Sequence, residues 1–210
     1  MDDGQKFVTD HAGFGPLTVP IPLTLMACEI HQDNIEAGWW KQEWVNGYGD
    51  EPGRYHTLPR NIGELLCLVH SEISEAYDGW IAGKQDDKLP HRPALEVELA
   101  DTVIRVLDIL GFYDVNVDAL IAIHRQEPPR GGAFWFTLMH STVSNAMEGF
   151  RKGKQEVGCL KLVLLLATII DCSIAFDLDL WTAVAEKRAY NATRADHKPE
   201  NRAKAGGKQF

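Results

Sequence analysis

The stretch His70 to Gln85 reads HSEISEAYDGWIAGKQ, and His140 to Gln155 reads HSTVSNAMEGFRKGKQ, identical at eight of sixteen positions without a gap. The likeness continues. ELADTVIRVLD (98–108) falls on KLVLLLATIID (161–171), and YDVNVDALIAI (113–123) falls on FDLDLWTAVAE (176–186), with a shorter loop in the second segment. A self-similarity of this length predicts a tandem duplication of one supersecondary unit. That unit is helical, because Ile62, Leu65, Leu66, Val69, Ile73, Ala76 and Trp80 recur at three- and four-residue spacing. No alternation of strand type and useful length is visible. The expected fold class is all-α, a helical bundle in which paired helical hairpins form an internal pseudo-dimer.

Working outward, residues 1–22 are rich in Gly, Pro and Asp and read as an irregular arm. The first repeat spans 23–130 and the degenerate second repeat 131–210, together one compact domain. Within the first, helices are expected over Leu23 to Trp44, Asn61 to Ile81, Ala94 to Phe112 and Val117 to Gln126. Turn-rich Asn46–Gly53, the polar Lys84–Pro90 loop and the Pro128, Pro129, Gly131, Gly132 cluster separate or end them. Met139, Met147 and Phe150 read as core.

At 210 residues, 45% of them hydrophobic and 24% charged, the chain can bury a sizeable core. Its 30 acidic and 21 basic residues give a net charge of −9, which argues against stable nucleic-acid binding or a grip on anionic membrane. Cys28, Cys67, Cys159 and Cys172 are scattered without CxxC spacing, as expected of a reducing cytoplasm. The acidic start MDDGQKF is unlike a signal peptide, and Lys161 and Asp171 interrupt the longest apolar run, so neither secretion nor a membrane span is expected.

The chemistry is concentrated in four acids. Glu72 and Glu75 share one face of the second helix, and Glu98 and Asp101 share one face of the third. The third helix is apolar nearly all round except for the stripe Glu98, Asp101, Arg105, Asp108, and charges on so buried a helix need a counter-charge or a bound cation. Two such helices face to face bring four carboxylates together, and an all-oxygen cluster favours Mg²⁺, with Mn²⁺ as a substitute. The second repeat is an internal control: Thr142, Asn145, Lys161 and Leu164 stand where the first has Glu72, Glu75, Glu98 and Asp101. The scaffold therefore does not need the acids.

E72-I-S-E75 followed by E98-L-A-D101 resembles the ExxE…ExxD signature of the MazG-like all-α nucleoside triphosphate pyrophosphohydrolases, a superfamily that includes dimeric dUTPases and dCTP pyrophosphatases. Arg60-Asn61, HSEISEA, DDKLPHR (86–92) and EVELADTVIRVLD are similar to phage and bacterial MazG-like proteins, and the resemblance runs from about residue 24 to the end. It implies that Glu72, Glu75, Glu98 and Asp101 are the metal ligands and catalytic residues. It implies further that an activated water attacks phosphorus in a (d)NTP to release pyrophosphate and a (d)NMP. Phosphoanhydride hydrolysis needs neutralised phosphate oxygens and an aligned water, which clustered metal supplies.

Glu186-Lys-Arg-Ala-Tyr-Asn-Ala-Thr-Arg194 resembles the family's EKxxYNxxR tail, which implies that Lys187, Tyr190, Asn191 and Arg194 lie near the substrate phosphates. The tail occurs only in the second repeat and the acids only in the first, so one composite site across the two is expected. Asn34 and Trp40 on the first helix, with Arg60 and Asn61, are the candidates for the rest of the nucleotide, and His56-x-x-Pro-Arg-Asn loosely echoes dCTP pyrophosphatases. His70 and His140, present with and without acids, read as structural. The partners expected are the nucleotide and, if the duplicated bundle still pairs, a second copy in a homodimeric pseudo-tetramer. The alternative function is a catalytically inactive regulatory or partner-binding module of the same fold.

Overall fold

The structure is a computed structural model. It describes residues 19–47, 52–121, 131–195, 198–202 and 204. Most of the expected arm, the loop tip 48–51, the continuation of the fourth helix beyond Ile121 and the 122–130 connection lie outside the described residues.

Eight helices and one two-stranded hairpin make up the described chain: α1 Leu23–Glu36, β1 Gln42–Val45, β2 Arg54–Thr57, α2 Ile62–Ala82, α3 Ala94–Phe112, α4 Val117–Ile121, α5 Gly132–Arg151, α6 Gln155–Ala175, α7 Leu180–Thr193 and α8 Pro199–Arg202. Mostly helical architecture follows from the periodicity, but two expectations are corrected. The first helix ends at Glu36, not Trp44: Gly38 takes φ 74°, the Ala37 N–H closes on Asp33 O and the Gly38 N–H on Ile35 O. The residues beyond it pair as an antiparallel hairpin, with Gln42 opposite Thr57 and Trp44 opposite Tyr55. Every residue of β1 is exposed. A strand with no buried face has no alternation to reveal it.

Asn61 starts α2 by accepting from the Gly63 N–H, and Gly83 ends it in the left-handed conformation at φ 57°. Pro93 precedes α3, whose bounds match the sequence reading. This helix is the axis of the bundle, packed by α1, α2 and α7 with a smaller contact to α6. Val97, Leu99, Ala100, Val103, Val106, Leu107 and Leu110 are all fully or almost fully buried. At roughly 1.5–3 kcal/mol per large apolar side chain, this one helix supplies much of the hydrophobic driving force.

Helices α2 and α5 pack side by side and antiparallel, Gly63 beside Met147 at one end and Trp80 beside Gly132 at the other, with Val69, Ile73 and Ala76 in the core alongside Met139, Val143 and Ala146. Matching positions in the two halves have matching local structure. Ser74 donates to His70 O and Ser144 to His140 O. Gly79 lies against Ala94 and Leu95, and Gly149 against Gly158, so closely that an added Cβ would come within 2.9 and 2.7 Å of them. Asp114 and Asp177 both take positive φ, at 51° and 53°. At the centre, His70 and His140 meet Nδ1 to Nδ1 at 2.7 Å. Of the residues read as core, Met139 is buried and Phe150 packs against the core, whereas Met147 is 37% exposed.

All four cysteines are free thiols, with Cys159 and Cys172 buried. Helix α6 is long and apolar enough to cross a membrane by length and composition, and 67% of its most apolar window is buried inside the bundle.

Candidate metal and nucleotide site

The stripe Glu98, Asp101, Arg105, Asp108 on α3 faces a cleft of about 620 Å³. Glu72 and Glu75 of α2 form one wall, Lys187, Asn191 and Arg194 at the end of the chain's α7 segment form another, and Asn34, Trp39 and Arg60 close the far end. Nine of the twelve residues singled out in the sequence thus line one space: Asn34, Arg60, Glu72, Glu75, Glu98, Asp101, Lys187, Asn191 and Arg194.

Three consecutive residues bring α7 to this place. Glu186 receives a bidentate grip from Arg92, with Nε donating at 2.8 Å and Nη2 at 2.9 Å. Lys187 reaches Asp101 Oδ2 at 2.8 Å. Arg188 pairs with Asp33 at 2.8 Å and Glu29 at 3.2 Å on α1. Successive helical residues point about 100° apart, so one turn of α7 is fastened on three sides. Arg92 also donates to Glu96, whose other oxygen accepts from the Asp179 N–H at the start of α7. Hydrogen bonds from Arg92 and His91 hold the Glu186 carboxyl down at about 2. In the loop before α3, buried Asp86 accepts from the Lys88 and Leu89 N–H groups, a turn that presents Asp87 and Lys88 to the cleft.

Carboxylate oxygens of Glu72, Glu98 and Asp101 lie within 4.8 Å of one another. Glu75 is exposed on the rim of the same cleft. Arg105 donates to Glu72 Oε1 through Nε at 2.6 Å and Nη2 at 2.5 Å. Burial, reinforced by the neighbouring Asp101 and Glu72 charges, pushes the Glu98 carboxyl up to about 8. Burial likewise raises Asp101 to about 6, against the pull of Lys187. For Lys187 burial works against the charge, but Asp101 outweighs it and the ammonium is held above its ordinary value. Two cations of the protein, Arg105 and Lys187, lie against the three clustered acids. No protein-family model, curated protein or solved structure matches the chain. The site's own chemistry must carry its reading.

That chemistry fits a hard divalent cation. The cluster offers only carboxylate oxygens, the donor type that Mg²⁺ prefers, and Glu72, Glu98 and Asp101 would hold it. Asn191 adds a second sign: its Oδ1 is buried in the cleft wall with no donor among the described residues.

Three candidates stand outside the cleft wall. Trp40, expected to offer its face to a base, is only 3% exposed. Its ring stacks on Phe112 at 4.6 Å, carries the Arg60 guanidinium at 5.4 Å, and donates its N–H to both Asp108 oxygens at 3.0 and 3.1 Å. A buried indole needs such an acceptor, and the same Asp108 takes the His31 Nδ1 contact at 2.8 Å. Its neighbour Trp39 lines the cleft instead, with Arg202 over its ring at 3.8 Å. Asn61 is committed to the α2 cap, and Tyr190 packs beside Arg194 at 5.8 Å. His56, exposed on β2, accepts from Arg54. Lys88 was not singled out as a ligand group from sequence, and of the adjacent indoles weighed for base recognition it is Trp39, not Trp40, that lines the cleft. The Asp86 turn was the available signal for Lys88, while the end of α1 at Gly38 hides the placement of Trp39.

Proposed function

We propose that this protein is a Mg²⁺-dependent nucleoside triphosphate pyrophosphohydrolase of the MazG-like kind, converting a (d)NTP to a (d)NMP and pyrophosphate. The observation that carries the reading is the convergence of Glu72, Glu98 and Asp101 opposite Lys187, Asn191 and Arg194 in one cleft. Bound among the acids, Mg²⁺ neutralises phosphate charge and orients the attacking water. Lys88, Lys187 and Arg194 bind the phosphate chain, which an acidic protein otherwise repels. Asn34, Trp39 and Arg60 receive the nucleoside at the far end. Glu75, exposed at the rim, is placed to take the proton of the attacking water.

The reading includes descent of the bundle from a duplicated helical unit. It is supported by the repeated sequence, the paired Gly79 and Gly149 contacts, and the positive-φ Asp114 and Asp177 at matching positions. Acids from one half and the α7 cations from the other make the site composite.

Incubation with Mg²⁺ and a panel of canonical and modified (d)NTPs tests the proposal. Pyrophosphate and monophosphate are expected from the wild type, with a loss of at least 100-fold in Glu72→Gln, as for removal of one strong transition-state contact. No release from any nucleotide by folded protein that also binds no metal calorimetrically rejects it. One observation favours the second reading, an inactive module: Arg105 and Lys187 already compensate two of the acids. Metal binding and turnover separate the two.

A further inference from the structure

The two cations at the acid cluster are held differently. Lys187 is 5% exposed, and its helical neighbours Glu186 and Arg188 are themselves pinned to the Arg92 loop and to α1, so its ammonium is fixed on Asp101. Arg105 is 36% exposed while the Glu72 it covers is only 8% exposed, so the guanidinium lies on the cleft side of the acid. Both of its short contacts go to a single oxygen of Glu72, across from one helix to the next. Both residues line the cleft in which a triphosphate would lie.

We propose that Arg105 is an exchangeable counter-ion: it occupies Glu72 until a divalent cation arrives, then releases that carboxylate to the metal and passes to a phosphate oxygen of the nucleotide. This rests on the reading of the acid cluster as a divalent-cation site. A carboxylate oxygen that already accepts two guanidinium N–H bonds is a poor metal ligand, and a guanidinium beside a divalent ion is repelled. The same planar fork matches a phosphate as well as it matches a carboxylate. The long side chain lets the group change partners without movement of α3. Arg105 therefore opposes metal in the absence of substrate and favours substrate once metal is present.

These opposed effects give the test. Mn²⁺ alone is titrated into wild type, Arg105→Met and Arg105→Lys, followed by paramagnetic resonance of the free ion and by calorimetry. A non-hydrolysable α,β-imido nucleoside triphosphate is then titrated into the Mn²⁺-loaded proteins. Arg105→Met is expected to bind Mn²⁺ about tenfold more tightly and the analogue about tenfold more weakly, within the usual span of coupling between ligands. Arg105→Lys, which keeps a charge, is expected to lie closer to wild type in the Mn²⁺ titration. A merely structural arginine loosens both ligands when removed. Equal or weaker Mn²⁺ binding by Arg105→Met overturns the exchange while leaving the metal site standing. No Mn²⁺ binding by any of the three overturns the metal site as well. Arg105→Gln carries the same expectations if Arg105→Met fails to fold.

Discussion

Burial, reinforced by the charges of Asp101 and Glu72, holds the Glu98 carboxyl above its ordinary range, and that shift has a thermodynamic consequence. Its value in the folded protein, about 8, stands above the ordinary 4.5, so the folded state binds a proton more tightly than the unfolded chain. Stability from this group is fully present below the ordinary carboxylate range and is lost as pH rises through about 8. Asp101, raised to about 6, adds a loss of the same sign at lower pH. The metal-free protein is therefore expected to melt at progressively lower temperature as pH rises through this window. Glu98→Gln is expected to flatten the profile, and Mg²⁺ to raise the melting temperature most at its alkaline end. Thermal denaturation across that range checks all three, and a profile rising with pH contradicts the assignment. At this scale the sequence was informative where two acids three apart contrasted with non-acidic residues in the other half, as with Glu98 and Asp101 against Lys161 and Leu164. It was uninformative about Trp40, because nothing in a Trp-Trp pair tells which indole finds a buried acceptor such as Asp108.

Among the elements, α3 was legible because a nearly continuous apolar surface leaves one polar stripe and Pro93 marks its start. The hairpin was not, because its register depends on cross-strand partners such as Trp44 and Tyr55 rather than on a buried face. At the joint between α2 and α3, an added Cβ on Gly79 would stand 2.9 Å from Ala94 Cβ and 3.0 Å from Leu95 N. Gly79→Ala gains about 1 kcal/mol of helix propensity but forces α2 from α3. Overpacking of this kind costs about 1–3 kcal/mol, and net destabilisation is expected in urea unfolding. Because α2 and α3 carry the acids, cation affinity is expected to fall in the same variant. At the start of α2, Asn61→Ala removes a side-chain cap and is expected to cost about 1 kcal/mol without altering cation affinity. The pair of variants separates the joint from the cap.

For the whole molecule, the largest contacts lie within each half, α2 and α1 on α3 and α5 on α6, and the halves are joined by α7 on α3, α2 on α5 and α4 on α6. Lys187 and Asp101, the contact that closes the site, belong to opposite halves. Two polypeptides made by breaking the chain between Ile121 and Gly131 are expected to be poorly helical apart and to regain helicity and cation binding when mixed. Circular dichroism and Mn²⁺ titration of each piece and of the mixture provide the check. A first half that binds Mn²⁺ alone as tightly as the intact chain excludes the shared site. The internal likeness made this arrangement thinkable from sequence, but the ties that seat α7 against the other half, Arg92 to Glu186 and Glu96 to the Asp179 N–H, join residues whose long separation in the chain no periodicity encodes.

The meeting of His70 and His140 sets a limit on how alike the halves can be. Their rings are nearly parallel and their Nδ1 atoms are 2.7 Å apart, and burial holds both imidazoles below the usual histidine range, hence neutral at physiological pH. One Nδ1 must then carry the hydrogen that the other accepts. The donor ring is left with a bare Nε2 and the acceptor ring with an Nε2–H, so the two residues are different tautomers at every instant. Nitrogen chemical shifts of the two rings therefore read either a frozen left-right distinction or the rate at which the rings swap tautomers, which needs the Nδ1 hydrogen to cross and an Nε2 hydrogen to be gained by one ring and lost by the other.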